Sequence, residues 1–426
     1  MTDTAPPAAS PARAVLNAAV VVAALGYFVD IYDLILFNVV RVQSLKDLGV
    51  TTDLIEVGAA IVNWQMGGML LGGILFGIIG DKLGRLQILF GSITLYSLAT
   101  IANGFVTTVG QYEALRFLAG VGLAGELGAG VTLVAEILPA RLRGYGTMLV
   151  ASVGVSGAVV ANLVAKDFDW RTAYWVGGGL GVVLLLLRIG VRESAMFHRM
   201  KEGTARRGDF LALFRTRERL GRYLACILIA VPIWFSNQIL IAYSPEFAKA
   251  MGVTGPISAG DAVAAFYLGL VFGDLTSGLV SQALASRRKV VLGFVVALAA
   301  ANGLYFAAGR GASPATFLAL CGLLGFTGGY WAIFVTVAAE QFGTNIRATV
   351  ATTVPNFVRG LVVVVNLMFL WTRGKPATEA TPASGLGLGL FGAAAVVGAF
   401  WFLLALVSAW RLRETFGVDL DYLEEG

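Results

Sequence analysis

The sequence predicts an all-α integral membrane protein: twelve transmembrane helices in two pseudo-symmetric six-helix bundles. Three observations predict it. Of 426 residues, 57% are hydrophobic and only 13% charged, where a soluble domain carries about 25% charge. The apolar residues fall into runs long enough to cross a bilayer core of roughly 30 Å. One pair of charged markers occurs in each half of the chain. The mean hydropathy is +0.79. This composition excludes a disordered chain. Two cysteines exclude a disulfide scaffold, and His198, the one histidine, excludes a His-rich metal enzyme. No metal and no cofactor is expected.

Residues 1–13 are small, polar and Pro-rich and read as a cytoplasmic tail, without the basic stretch and cleavage site of a secretory signal. The apolar runs then lie at about 14–39, 54–79, 86–107, 111–136, 144–165, 172–190, 220–247, 261–285, 290–309, 315–340, 348–372 and 387–410. Each must be a helix, because lipid offers the backbone no other hydrogen-bond partner. They group as a first bundle over 14–190, a linker over 191–219, a second bundle over 220–410 and a C-terminal tail over 411–426. Basic residues crowd around the linker: Arg188, Arg192, Arg199, Lys201, Arg206, Arg207, Arg215, Arg217, Arg219 and Arg222. The positive-inside rule places that linker and both termini in the cytoplasm, which predicts a multi-pass protein of the bacterial inner membrane. The net charge of +5 is then a topology signal. It does not read as nucleic-acid binding, because no aromatic interleaving accompanies it.

The halves carry an internal repeat. Gly77-x3-Asp81-Lys82-x-Gly84-Arg85 follows helix 2, and Gly278-x3-Gln282-x3-Ser286-Arg287-Arg288-Lys289 follows helix 8. Glu136 precedes Arg143 by the same interval as Glu340 precedes Arg347. Two six-helix halves, a basic linker and the loop after helix 2 resemble the major facilitator superfamily. Arg116-Phe-Leu-Ala-Gly120-Val-Gly122 is similar to its helix 4 signature. Glu136-x2-Pro139-x3-Arg143-Gly144, Arg192-Glu193-Ser194, Tyr243-Ser244-Pro245 and Glu414-Thr415-x-Gly417-x-Asp419-Leu420 resemble its sugar-porter and metabolite:proton symporter branches. Helix 5 lacks the signature of drug:proton antiporters. Helix 10 has Gly328-Gly329-Tyr330-Trp331 in place of the sugar porters' Gly-Pro step, and helix 7 has Asn237-Gln238 in place of their glutamine pair.

A charge at the bilayer centre costs about 2.5–3.5 kcal/mol on insertion scales, so each embedded charge should be paired, wet or used. Asp33 in helix 1 and Arg116 in helix 4 both lie roughly 8–9 Å below the outer edge at about 1.5 Å per residue. They are expected to pair. The resemblance implies that Tyr32-Asp33 and Arg116 form a proton site. Movement of the arginine would let the carboxylate take a proton; the alternative is a static ion pair. Asp30 is on nearly the same helical face as Asp33. Asp30, Glu126 and Arg359 all fall near mid-depth, where transporters of this kind bind substrate between their halves. Asp30 and Glu126 join the candidate coupling set. Arg359 is either the anchor for a substrate carboxylate or a neutralising partner of Asp30 or Glu126. Asp274, eight residues before Gln282, is assigned to the cytoplasmic charge cluster. Tyr32, Asn63, Trp64, Gln65, Trp234, Asn237, Gln238, Tyr243 and Trp331 are candidate cavity residues, the buried amides among them needing partners.

On the inner face, Asp81, Lys82, Arg85, Glu136, Arg143, Glu193, Glu340, Arg347 and Glu414 are expected to form a gate that closes in one transport state and opens in the other. Gly120-x-Gly122-x-x-Gly125 matches a dinucleotide fingerprint in letters only, since no strand precedes it. Cys226 and Cys321 read as apolar filler. The function expected is proton-coupled symport of a small organic metabolite, an organic anion or carboxylate, by a monomer embedded in lipid and driven by the proton gradient. The rivals are a sugar or polyol symporter and a solute sensor that does not transport. An enzyme is not expected, because no nucleophile–base set assembles around a single histidine.

Overall fold

The protein, seen here in a computed structural model, is described over residues 18–83, 85–125, 143–192, 210–375, 384–417 and 424. The described parts of the apolar runs named above are mainly helical, with turns at some ends and breaks inside three of them. The first half holds α1 (Ala18–Asp47), α2 (Leu54–Leu83), α3 (Arg85–Asn103), α4 (Val109–Leu123), α5 (Arg143–Asp167) and α6 (Trp170–Arg192). The second begins with α7 in three pieces: Arg217–Leu228, Val231–Phe235 and a π-helical turn, Ser236–Ile241. A short helix, Ser244–Met251, follows. Then come α8 (Ala259–Ala283), α9 (Arg287–Ala308), α10 in two pieces (Pro314–Gly328 and Trp331–Glu340), α11 in two pieces (Thr344–Gly360 and Val362–Arg373) and α12 (Gly389–Arg411). Among the described residues, nine helices are long and apolar enough to cross a membrane.

Local chemistry accounts for the ends and the breaks. Thr108, Thr216, Ser258, Ser286 and Ser313 each accept a backbone N–H at the start of α4, α7, α8, α9 and α10, which satisfies donors the first turn leaves open. Pro232 opens the second piece of α7, and Pro355 sits inside α11, where a missing N–H loosens the ladder. Gly328-Gly329 interrupts α10. One expected boundary moves: α1 runs to Asp47 rather than to 39. Its polar last turns are held because Arg41 and Ser44 find partners inside the bundle.

The two halves repeat one packing device. α2 meets α4 where Gly68 faces the Phe117 carbonyl and Gly120 faces that of Gln65. α8 meets α10 where Gly269 faces the Gly322 carbonyl and Gly325 faces that of Phe266. Any Cβ at these positions would overlap a backbone oxygen. Small residues are what lets helices approach closely in lipid, where no hydrophobic force separates interface from surroundings. The outer surface is apolar, with Leu279 72% and Trp410 68% exposed, while Asp30, Asp33, Arg41, Arg116 and Arg359 are all buried. That inversion is the signature of a protein solvated by lipid.

Candidate functional site

The first site lies wholly within the first half. Arg116 of α4 donates from Nη1 to Asp33 Oδ1 of α1 at 3.1 Å and from Nη2 to the Asp33 carbonyl at 2.9 Å. Thr100 of α3 donates to the same Oδ1 at 2.9 Å. The guanidinium lies 5.7 Å from the Tyr174 ring centroid, and the Tyr174 and Tyr112 hydroxyls share a 2.6 Å hydrogen bond. The pair is thus buried and surrounded by groups from α1, α3, α4 and α6, while Asp33 Oδ2 is left without a hydrogen bond among the described residues.

The second site lies between the halves. Arg359 of α11 brings Nη2 to 3.7 Å from Asp30 Oδ2 of α1, an ion-pair distance too long for a good hydrogen bond. Its guanidinium sits 5.7 Å from the Trp234 ring centroid, and Trp234 meets Trp331 edge to face at 6.1 Å. Nε and Nη1 of Arg359, Nε1 of Trp234 and Oδ1 of Asn237 are buried and make no hydrogen bond among the described residues. Asn237 donates weakly to the Tyr267 hydroxyl at 3.5 Å. A buried guanidinium with two open nitrogens, lying over the Trp234 indole, is chemically suited to a planar carboxylate, because the fork matches two oxygens.

Amides span the same interface. Asn38 of α1 donates to Gln238 of α7 at 3.2 Å, and Asn366 of α11 to Asn63 of α2 at 2.8 Å. Asn356 of α11 donates to the Ala124 carbonyl at 3.2 Å. Three of the candidate cavity residues have contacts away from Arg359. Tyr32 points into the first half, donating to the Ala173 carbonyl of α6 at 2.9 Å, and Gln65 turns to the Leu34 carbonyl at 3.4 Å. No hydrogen bond or ion pair joins either to Arg359 among the described residues. Trp64 is 51% exposed, edge-on to Phe117, and faces outward. Tyr243 is buried, stacked on Phe369.

Asp274 also moves. Its Oδ1 accepts the Ala332 N–H at 3.1 Å, at the start of the second piece of α10. It therefore belongs to the helix break and not to the loop cluster, because Gly273 and Gly329 pack backbone to backbone there.

At the end where α1 passes to α2, contacts that the sequence did not predict close the interface. Arg41 donates to both Glu246 oxygens at 2.6 and 2.8 Å, to the Ala242 carbonyl at 3.1 Å and to the Leu54 carbonyl at 3.2 Å. Its guanidinium covers the Tyr243 ring at 4.9 Å. Lys166 of α5 pairs with Asp261 of α8 at 2.5 Å, and Lys375 pairs with Glu56 of α2. A signal was available: Arg41 is a basic residue on the side where such residues are scarce, and Glu246 directly follows Tyr243-Ser244-Pro245.

At the opposite end, Glu340 pairs with Arg287 at 3.5 Å and accepts from Thr415 at 2.7 Å. Arg347 donates to the Phe342 carbonyl at 3.3 Å. Glu414 accepts from the Ser286 hydroxyl and from the backbone N–H groups of Arg287 and Arg288 at 2.9 and 3.3 Å. Partial burial pushes the Glu414 carboxyl up, but the hydrogen bonds from Ser286, Arg287, Phe416 and Thr415 outweigh it and hold it below the usual range. Glu424 of the tail sits between Arg219 at 3.1 Å and Arg222 at 3.2 Å. Glu126, Glu136 and Glu193 lie outside the described residues, as do the side chains of Asp81, Lys82, Arg85 and Arg143.

Comparison with known proteins agrees with this architecture. Residues 23–365 match the Major Facilitator Superfamily. The chain is 27% identical over 364 residues to a niacin transporter of Acinetobacter baylyi, covering 77% of this chain and 80% of that one. It is 25% identical over 403 residues to a cis,cis-muconate transport protein of the same organism, covering 92% of each. A D-xylose-proton symporter of known structure superposes with a TM-score of 0.64 at 14% identity, over 94% of this chain and 98% of that one; at that identity the likeness is one of fold. The chain is a multi-pass membrane protein and belongs to the Major Facilitator Superfamily, whose members similar to it are transporters and not enzymes.

Proposed function

We propose that the protein imports a small organic carboxylate, of planar or aromatic kind, together with protons across the bacterial inner membrane. The observation that carries this reading is Arg359: buried between the halves, with two nitrogens that make no hydrogen bond among the described residues, the Trp234 indole beside it and a long contact to Asp30. An incoming carboxylate would replace Asp30 on the guanidinium with shorter, charge-assisted bonds. Asp30, released, becomes a group able to take a proton, and Asp33 does the same when Arg116 shifts. The proton gradient then serves as the energy source, with no cofactor. Niacin and muconate, named for two relatives, are both carboxylates.

With both termini cytoplasmic, the Arg41–Glu246 end is periplasmic, and the arrangement corresponds to a state closed on that side. Alternating access requires those contacts to open while the Glu340–Arg287–Glu414 end closes. The protein works as a monomer in lipid, with no nucleic-acid partner. The amide contacts across the interface favour the second reading, a neutral sugar or polyol. Arg359→Gln separates the two. Carboxylate uptake should fall about 10- to 100-fold, since a charge-assisted hydrogen bond is worth about 1.5–3 kcal/mol. Unchanged uptake of nicotinate and muconate by that variant, with uptake of a neutral polyol, would favour the second reading.

A further inference from the structure

Asp33 and Asp30 each have an arginine, at 3.1 and 3.7 Å. Asp274, inside the span Ala259–Ala283, forms no ion pair among the described residues. We propose that Asp274 is a proton-binding site of the transport cycle, placed in the second half and linked to the occupancy of Arg359. This rests on the proton-coupled reading above and extends it to a residue outside the α1–α4 pair.

The geometry supports a carboxyl group that can load and unload without moving its helix. Oδ1 accepts the Ala332 N–H at 3.1 Å, a bond that a carboxylate and a neutral acid both keep. Oδ2 is the atom that takes the proton, and the residue as a whole is only partly buried. The groups facing it are few. From α1 comes Tyr27, within electrostatic reach of Asp30, Asp274 and Arg359. From α10 come the peptide groups of Trp331 and Ala332. Among the described residues, two cations of the neighbouring helices are committed elsewhere: Lys166 of α5 to Asp261, and Arg287 of α9 to Glu340 and Ser281.

Charge counting supplies the link. Among the described residues, Tyr27 lies within electrostatic reach of two carboxylates, Asp30 and Asp274, and one cation, Arg359. A substrate carboxylate on Arg359 adds a negative charge to this low-dielectric region, and proton binding at Asp274 removes one. By linkage, anion and proton must then strengthen each other's binding by the same factor. The step is a simple protonation: a proton from water on one side joins Oδ2, and the same O–H gives it up to water on the other.

Two measurements on the full-length protein in liposomes test this. Infrared titration of wild type should show a carboxylic-acid C=O band growing on acidification, and the wild-type minus Asp274→Asn difference should contain a titrating component of that band. Asparagine keeps the Oδ1 acceptor, so the α10 break stays capped. The same variant should lose pH-gradient-driven accumulation of nicotinate while retaining counterflow exchange. A band unchanged by the substitution, or accumulation equal to wild type, overturns the proposal and leaves Asp274 as a cap only. Should Asp274→Asn fail to fold, Asp274→Ser, whose hydroxyl also caps, takes its place. The infrared arm needs no transported substrate. Absence of nicotinate transport by wild type would therefore sink the carboxylate reading while the band still decides Asp274.

Discussion

Arg41, Arg116 and Arg359 are all but completely buried, and each is answered differently. Arg116 is locked by Asp33, a carbonyl and an aromatic ring within one half. Arg41 is locked across the halves. Arg359 keeps both Nε and Nη1 open among the described residues. Breaking a buried pair leaves an uncompensated charge and is more damaging than removing both partners. Asp33→Asn keeps an oxygen acceptor for Arg116 and Thr100 but leaves the Arg116 charge uncompensated, so thermal stability in detergent should fall and is measured alongside transport. Uptake driven by a pH gradient should disappear while exchange persists, as read by paired gradient and counterflow assays in proteoliposomes. Persistence of gradient-driven uptake would remove Asp33 from the coupling set. A second residue-scale expectation concerns Glu414, whose folded value lies below its unfolded one. Its stabilisation is complete above the unfolded value, about 4.3 for glutamate, and is lost as pH falls through the folded value. Thermal unfolding of wild type and Glu414→Gln should therefore differ at neutral pH and converge on acidification. A gap that does not change with pH would contradict this.

At the scale of elements, three helices of the second half break: α7 at Pro232 and the π turn, α10 at Gly328-Gly329, and α11 beside Pro355 and Leu361. π turns recur at functional sites, and this one holds both Asn237 and Gln238. The glycine contacts are the opposite kind of feature, rigid and within each half. Gly325→Val would drive a side chain into the Phe266 carbonyl, and overpacking of that kind costs about 1–3 kcal/mol or more. At Gly293 on α9 an added Cβ would have nothing within 4 Å, so Gly293→Ala should be neutral or gain up to about 1 kcal/mol of helix propensity. Thermal shift in detergent distinguishes them, and equal melting of the two variants would show that the α8–α10 approach is not tight. Helix identity was legible from length and hydropathy alone. The end of α1 was not, because a polar last turn looks like a loop until Arg41 is seen to have partners.

For the whole molecule, the two ends of the interface carry separate sets of contacts. The Arg41–Glu246, Lys166–Asp261 and Lys375–Glu56 pairs close one end, while Glu340, Arg287 and Glu414 bind the C-terminal tail to the second half at the other. Arg41→Ala should shift the population toward opening at the Arg41 end. A loss of about 1.5–3 kcal/mol corresponds to about a 10- to 100-fold change in that equilibrium. Labelling a cysteine introduced at Asn38 with a membrane-impermeant reagent reads it directly, since Cys226 and Cys321 are buried. A labelling rate equal to that of the Asn38→Cys protein with Arg41 intact would show that the contact is not a gate.

The amino-acid sequence by itself determined the class and the superfamily resemblance, and it matched Asp33 with Arg116. In a bilayer every span must be a helix, so position along the chain converts to depth at a constant rise. Asp33 and Arg116 could be matched on that single coordinate. Direction around each helix axis has no such rule. Whether Tyr32 turns to the interface or to Ala173, whether Asp274 belongs to a loop or to the α10 break, and which carboxylate answers Arg41 were decided only by tertiary packing. Arg41 and Glu246 are 205 residues apart in the chain. Nothing local to either specifies the other; the docking of the two halves brings them together.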